Sequence, residues 1–159
     1  MTRAELSTII FTGTDDVFAS GANIRELRAL SPETAVEFSQ RGQRLFQKIS
    51  EASRLTIAAI NGYCMGGGLD LALACDVRFA SMNAVFAHPG ARLGIITGWG
   101  GTQRLPRLIG TACALELFAT ARRVTSSEAY RIGLVNRVSD SVLRDACELA
   151  QSYTARQSE

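Results

Sequence analysis

Three consecutive glycines stand in an otherwise apolar stretch, NGYCMGGGLDLALACD, at residues 61–76. Glycine inside a helix costs about 1 kcal/mol relative to alanine, so a run of three needs a reason. Such a run is expected where the backbone takes unusual angles or where another group approaches the chain closely. A short apolar strand is predicted before it, at 56–60, and LDLALA after it predicts a helix. The first N–H groups of that helix have no internal partner and lie at the positive end of its dipole.

Without Cβ atoms at the glycines, a ligand can reach these free N–H groups, which predicts a pocket for an anion or an oxyanion. A phosphate site is the competing interpretation, but neither G-x-x-x-x-G-K-[ST] nor G-x-G-x-x-G occurs here. Close helix–strand packing is the structural alternative. A second segment, FASGAN at 18–23, has Gly21 between two small residues. An N–H from this loop facing Gly67 would complete a two-donor hole for a carbonyl oxygen that becomes negative.

Composition limits the class of protein that this chain can be. Its 159 residues, 47% hydrophobic and 20% charged, suffice for one globular domain with a core. A net charge of +2 with scattered arginines gives no sign of a nucleic-acid partner, and no apolar run is long enough to cross a membrane. Four separated cysteines and one histidine argue against a metal site and favour a reduced, cytoplasmic setting. Cys64 and Cys75 are interpreted as small, buried apolar residues.

The pattern of the whole chain predicts an α/β fold in which strands, glycine turns and helices alternate. The β-branched run at 6–13 predicts a buried strand, and 14–23 has the composition of a loop. A long helix is predicted over 31–53, with Ser31 as its N-cap. The remaining predictions are strands at 76–81, 84–88 and 134–138, and helices within 98–110, 111–121, 125–133 and 141–155.

Four segments together resemble the crotonase (enoyl-CoA hydratase/isomerase) superfamily. FASGANI is similar to F-x-[AS]-G-A-D-[IL], and AAINGYCMGGGLDLALACDVRFAS to A-x-x-N-G-x-x-x-G-G-G-x-E-L-A-L-x-C-D-x-R-x-A-S. LGIITGWGGTQRLPRLIG resembles L-G-x-x-P-x-x-G-G-T-Q-R-L-x-R-x-x-G, and RRVTSSEAYRIGLVNRV resembles the A-x-x-x-G-L-V stretch that follows. The resemblance runs in order over about residues 6–150 of a single domain, 1–159. It implies the family's superhelix of repeated β-β-α units.

By this resemblance, the backbone N–H groups of Ala22 and Gly67 bind the thioester oxygen of an acyl-coenzyme A. Coenzyme A is then part of the substrate, and no separate cofactor and no metal is expected. The residues that the resemblance assigns to the CoA-ester site are Ala19, Ser20, Gly21, Asn23, Ile24, Arg25, Gly66 and Gly68. The leading function is an enoyl-CoA hydratase. The alternatives are an isomerase or decarboxylase that uses the same hole, and a non-catalytic paralogue that binds CoA esters.

The acid–base residues depart from the family pattern, in which hydratases use two glutamates. Asp70 stands at the first position and keeps a carboxylate, although a first-turn acid favoured by the helix dipole is the alternative interpretation. Gly90 stands at the second position and can neither donate nor accept a proton. His88, two residues upstream, is the candidate substitute, because imidazole suits acid–base work. A lone histidine is also a common structural residue.

Two further residues lie in the glycine-rich segment before the fourth motif. Trp99 is assigned, with Gly90, to the acyl pocket, and a core aromatic is the alternative for Trp99. Arg104 is expected to pack or pair within the fold. Family members extend beyond both ends of this chain, so we expect a shortened form that is marginal as a monomer and associates as a trimer or a dimer of trimers.

Overall fold

The computed structural model describes residues 7–157. Strands and helices alternate along them, as the sequence predicts. The strands are β1 (Thr8–Thr12), β2 (Val17–Ala19), β3 (Leu55–Ile60), β4 (Tyr63–Met65), β5 (Val77–Ser81), β6 (Val85–Ala87), β7 (Val124–Thr125) and β8 (Arg137–Ser139). The helices are α1 (Ile24–Arg28), α2 (Pro32–Ser50), α3 (Gly67–Ala74), α4 (Gly101–Ile109), α5 (Thr111–Thr120), α6 (Ser126–Arg131) and α7 (Val142–Gln157), with a 3-10 helix at Pro89–Leu93.

The strands form two sheets, in the orders β1-β3-β5-β8 and β2-β4-β6-β7. All neighbours are parallel except β6 and β7. Each of the first three strand pairs along the chain places one strand in each sheet before the chain turns into helical structure. This arrangement is the repeated β-β-α unit that the resemblance implies, and it confirms the predicted α/β class.

The central strand β3 connects the two hydrophobic clusters of the structure. Its residues Ala58 and Ile60 point into the main cluster, whereas Ile57 and Ala59 belong to a smaller cluster that α7 covers. Side chains alternate between the faces of a strand, so a strand buried on both faces reads as a continuous apolar run. The sequence LTIAAI has this composition because neither face of β3 meets solvent.

Helix α2 confirms the predicted capping. The Ser31 side chain accepts a hydrogen bond from the Thr34 N–H, and the Thr34 hydroxyl accepts one from the Ser31 N–H. Two N–H groups without intrahelical partners are thereby satisfied. Among residues 7–157, none of the helices combines the length and the apolar composition that crossing a bilayer requires.

The structure corrects the predicted elements at four places. The segment 14–23, predicted as a loop, contains β2, and β4 and α1 were not predicted at all. Strands of three residues are too short to show alternation. The strand predicted at 134–138 begins at Arg137, because the N–H groups of Leu134 and Val135 bind the Ala129 carbonyl at the end of α6. Leu6, the first residue of the predicted strand 6–13, lies outside the described residues.

Candidate active site

The three consecutive glycines, Gly66, Gly67 and Gly68, each lie against a different group of the protein. Gly66 takes a positive φ of 52° and its N–H donates to the Ala87 carbonyl at 2.9 Å, which fixes the entry into α3. A Cβ on Gly67 would fall inside van der Waals contact of the Trp99 ring, and one on Gly68 would collide with the Ala19 carbonyl. The run of three glycines is thus explained by close approach at two positions and by backbone angle at one.

The loop at 19–22 lies against the start of α3, as predicted. Gly21 has φ +90°, and a Cβ there would lie 2.9 Å from the Gly67 nitrogen and 2.9 Å from the Met65 carbonyl oxygen. Among the described residues, neither the Ala22 N–H nor the Gly67 N–H donates a hydrogen bond to a protein group. Both candidate donors are therefore available to a ligand, and the absence of a Cβ at Gly21 lets the two segments approach closely.

Asp70 lies one turn into α3 and is 1% exposed. The Thr97 hydroxyl donates a hydrogen bond to its Oδ2, whereas Oδ1 has no hydrogen-bond partner among the described residues. Burial raises the pKa of Asp70 to about 6, although the Thr97 hydrogen bond and the charge of Arg104 oppose the rise. At neutral pH the group is ionised, and one of its oxygens is free to accept a proton.

His88 faces Asp70 across a gap of 3.5 Å between Nε2 and Oδ1. It is also buried, and Nε2 has no hydrogen-bond partner in the described part of the chain. Burial lowers the pKa of His88 to about 4, so the imidazole is neutral at physiological pH. A Cβ on Gly101 would collide with Asp70 Oδ1 and lie 3.1 Å from His88 Nε2. Only a residue without a Cβ therefore fits at position 101, close to both unpaired atoms.

The placement of His88 does not follow from strand alternation. β6 ends at Ala87 and the 3-10 helix begins at Pro89, so no strand carries residues 88 and 90 on one face. A Cβ on Gly90 would lie 2.5 Å from the Ile95 carbonyl oxygen, and the Ile95 N–H donates to the Gly90 carbonyl at 3.0 Å. The backbone of Ile95 and Ile96 thus occupies the place where the Cβ of a glutamate at position 90 would begin.

The Trp99 indole lies between α2 and the start of α3. Its centroid is 5.2 Å from that of Phe38 and 5.7 Å from that of Phe46. Its five-membered ring lies where a Cβ on Gly42 would be, and its six-membered ring lies over Gly67. Trp99 is half-buried and contacts both a helix of the core and the residue that supplies one candidate donor.

We expect Gly42→Ala to have opposite effects on stability in two backgrounds. In the wild type the new methyl collides with the indole, which lowers the free energy of unfolding by about 1–3 kcal/mol. In a Trp99→Ala background the collision is gone. The better helix propensity of alanine then raises the free energy of unfolding by up to about 1 kcal/mol. Urea unfolding of the four proteins measures both effects. Equal effects in the two backgrounds would contradict the packing described here.

The remaining residues from the sequence analysis have simpler surroundings. Ser20, Gly21, Asn23, Ile24 and Arg25 are exposed beside the hole, and the Asn23 side chain caps α1 by accepting from the Arg25 N–H. Arg104 pairs within the fold, as expected: it donates to the Trp99 carbonyl at 3.3 Å and to Gln47 Oε1 at 3.5 Å. Cys64 and Cys75 are buried, as predicted.

Three residues of the site were missed by sequence reasoning: Gly42, Thr97 and Gly101. Thr97 and Gly101 flank Trp99 in the second glycine cluster, so the signal was present in that segment. Gly42 is the one glycine in α2, a helix of nineteen residues. A glycine in the middle of a long helix indicates close packing of another group, here the indole.

Comparison with known proteins extends these observations. The sequence profile of the enoyl-CoA hydratase/isomerase family matches residues 2–158. The chain is 47% identical over 131 residues to the crotonyl-CoA hydratase of Syntrophomonas wolfei, covering 82% of this chain and 50% of that protein. It is 39% identical over 155 residues to the short-chain-enoyl-CoA hydratase of Clostridium acetobutylicum, covering 96% of this chain and 59% of that protein. The chain thus spans between half and three fifths of the length of these two relatives.

Comparison with solved structures also finds proteins of similar fold. Pseudomonas aeruginosa DspI superposes with a TM-score of 0.92 at 35% identity, covering 96% of this chain and 64% of that one. The enoyl-CoA hydratase of Bacillus anthracis superposes with a TM-score of 0.89 at 36% identity, covering 96% of this chain and 60% of that one. On the profile match, the sequence identities and the shared fold, the chain belongs to the enoyl-CoA hydratase/isomerase family of the crotonase superfamily.

Proposed function

We propose that the protein is an enoyl-CoA hydratase, a lyase that adds water across the double bond of a 2-enoyl-CoA. The observation that carries this proposal is the close approach of Gly21 to the start of α3, where a Cβ on residue 21 would lie 2.9 Å from the Gly67 nitrogen. Two segments with free N–H groups thereby meet next to the buried carboxylate of Asp70. The names of the relatives from Syntrophomonas and Clostridium support the same reaction class.

In the proposed mechanism, the Ala22 and Gly67 N–H groups bind the thioester oxygen and stabilise the negative charge that develops on it. Asp70 Oδ1 accepts a proton from water while the water oxygen bonds to the β-carbon. The electrons of the carbon–carbon double bond move onto the thioester, which becomes an enolate. Protonated Asp70 then returns the proton to the α-carbon, which gives the 3-hydroxyacyl-CoA.

His88 takes the part of the absent second carboxylate in this proposal. Because its imidazole is neutral at physiological pH, it serves as a hydrogen-bond partner that holds the water beside Asp70 Oδ1 and carries no charge. One carboxylate then accepts and returns the same proton. The absence of a protein partner at both Asp70 Oδ1 and His88 Nε2 among the described residues suits this arrangement.

The proposal extends to the surroundings of the site. The exposed loop residues Ser20–Arg25 border the CoA moiety, and CoA enters with the substrate as the only cofactor group. We also propose a cytoplasmic protein that associates as a homotrimer or a dimer of trimers. Size-exclusion chromatography with light scattering tests the assembly, and a stable monomer would count against it.

The direct test of the function is turnover of crotonyl-CoA. We expect loss of the absorbance of the conjugated thioester and formation of 3-hydroxybutanoyl-CoA, identified by chromatography. A malonyl-type CoA and a 3-enoyl-CoA serve as comparison substrates, because they report decarboxylation and isomerisation. Tight binding of these esters with no turnover would overturn the proposal in favour of a non-catalytic binder.

The activity should depend on pH through Asp70. Because its carboxylate must be ionised to accept a proton and its pKa is raised to about 6, kcat/KM for crotonyl-CoA should fall as the pH drops through about 6. Below that point we expect a decrease of about tenfold per pH unit. A pH–rate profile from 4.5 to 8 measures this, with circular dichroism at each pH to follow the fold. A flat profile across this range would remove Asp70 from the mechanism.

A further inference from the structure

We propose that Trp99 closes the acyl pocket and restricts the substrate to short-chain 2-enoyl-CoA thioesters. This inference rests on the proposed function, because the position of the hole defines where the acyl chain begins. It concerns substrate choice and adds nothing to the acid–base chemistry.

The direction of the acyl chain follows from the groups that must reach it. The thioester oxygen lies at the Gly67 N–H, and Asp70 must reach the β-carbon, so the chain runs from the start of α3 towards Asp70. The Thr97 hydroxyl binds the far oxygen of Asp70, and Trp99 follows two residues later in the same segment. The indole itself lies over Gly67. Because the indole covers Gly67, where the acyl chain begins, we place the Trp99 ring beside the path that the carbons beyond the β-carbon take.

The indole cannot easily move out of the way. One edge fills the volume at Gly42 and the other that at Gly67, while Phe38 and Phe46 pack on it at centroid distances of 5.2 and 5.7 Å. The backbone beside it is also held, because the Gln43 side-chain amide donates to the Gly98 carbonyl at 2.8 Å. A side chain fixed on three sides behaves as a rigid wall.

A rigid wall beside the acyl chain discriminates by chain length. A hydrophobic pocket that lacks room for added methylenes rejects them by about tenfold or more. Crotonyl-CoA has one carbon beyond the β-carbon, whereas trans-2-decenoyl-CoA has seven. The wild type should therefore favour the short substrate, and removal of the indole should open the pocket.

The test compares the wild type with Trp99→Ala and Trp99→Phe on crotonyl-CoA, trans-2-hexenoyl-CoA and trans-2-decenoyl-CoA. We expect Trp99→Ala to raise the ratio of kcat/KM for decenoyl-CoA to that for crotonyl-CoA by about tenfold or more, and Trp99→Phe to raise it less. Tyr130→Ala, which removes an exposed aromatic on α6, is the control and should leave the ratio unchanged.

Binding of the saturated esters butanoyl-CoA and decanoyl-CoA, measured by calorimetry, gives a second readout that needs no turnover. If the protein hydrates none of the enoyl esters, the proposed function fails, yet a change in the binding ratio still supports the wall at Trp99. A wild type that prefers the ten-carbon esters, or a ratio that Trp99→Ala leaves unchanged in both measurements, would overturn the inference. Trp99→Phe, which keeps an aromatic ring in the slot, provides the alternative should Trp99→Ala fail to fold, and it should raise the same ratio by a smaller factor.

Discussion

Asp70→Asn is expected to lower kcat/KM for crotonyl-CoA by at least about 100-fold, within the 10²–10⁴ range that a positioned general base contributes. The amide keeps the size of the side chain and can still accept the hydrogen bond from Thr97, but it cannot take the proton from water. Because the substituted group is buried and Oδ1 has no protein partner, the change removes no internal hydrogen bond. The loss should therefore appear in turnover, with the affinity for CoA esters largely kept.

The matched control is Asp140→Asn, at an exposed position far along the chain from the site, and it should retain full activity. Residual activity of Asp70→Asn within a factor of three of the wild type would show that the carboxylate is not the base. The pH–rate profile separates the two possibilities further, because the inflection near pH 6 should disappear in this variant. Thr97→Val, which leaves the carboxylate but frees its second oxygen, should reduce activity less than Asp70→Asn does.

Asp70→Asn should also change how the stability of the protein depends on pH, because Asp70 and His88 contribute to that dependence with opposite signs. The pKa of Asp70 rises from 3.8 in the unfolded chain to about 6, so its contribution to the free energy of unfolding falls as the pH rises through that window. The pKa of His88 falls from 6.5 to about 4, so its contribution increases with pH between 4 and 6.5. The two largely cancel in the wild type. In Asp70→Asn only the second remains, and stability should increase from pH 4 to 6.5.

The parts of the fold that were predicted from the sequence are those that a local residue pattern determines. Ser31 caps α2 and the apolar run of β3 is buried on both faces, because capping and burial depend on local composition. The three-residue strands β2 and β4 were missed, since their stability comes from pairing with each other across distant parts of the chain. No local pattern reports such a pairing.

The candidate site divides in the same way. The segments that carry Ala22 and Gly67 were identified from glycine placement alone, because glycines at close approaches leave a sequence signal. The contact of His88 with Asp70 depends on where β6 ends and on a 3-10 turn after it, which alternation along a strand does not predict. The sequence alone left two interpretations for Trp99, an acyl-pocket residue or a core aromatic. The residue that makes room for its indole, Gly42, lies more than fifty residues earlier in the chain.

Removal of one hole donor is the second change with a large expected effect. Ala22→Pro eliminates the Ala22 N–H, which donates to no described protein group, so the folded structure loses no internal hydrogen bond at this position. Loss of one donor of this kind costs about 2.7–4 kcal/mol of transition-state stabilisation, or roughly 10²–10³ in kcat. Ala22→Ser keeps the N–H and changes the side chain, and it should stay close to the wild type.

A spectroscopic measurement connects this loss to the thioester oxygen itself. Two N–H donors polarise a bound carbonyl and lower its stretching frequency, so difference infrared spectra of bound crotonyl-CoA should show a smaller shift in Ala22→Pro than in Ala22→Ser. If both variants shift the band equally while the proline variant loses turnover, the N–H of Ala22 does not bind the oxygen. The loop would then act by closing over CoA, and Gly67 alone would remain as the main-chain donor, next to a carboxylate whose free oxygen lies one helical turn away.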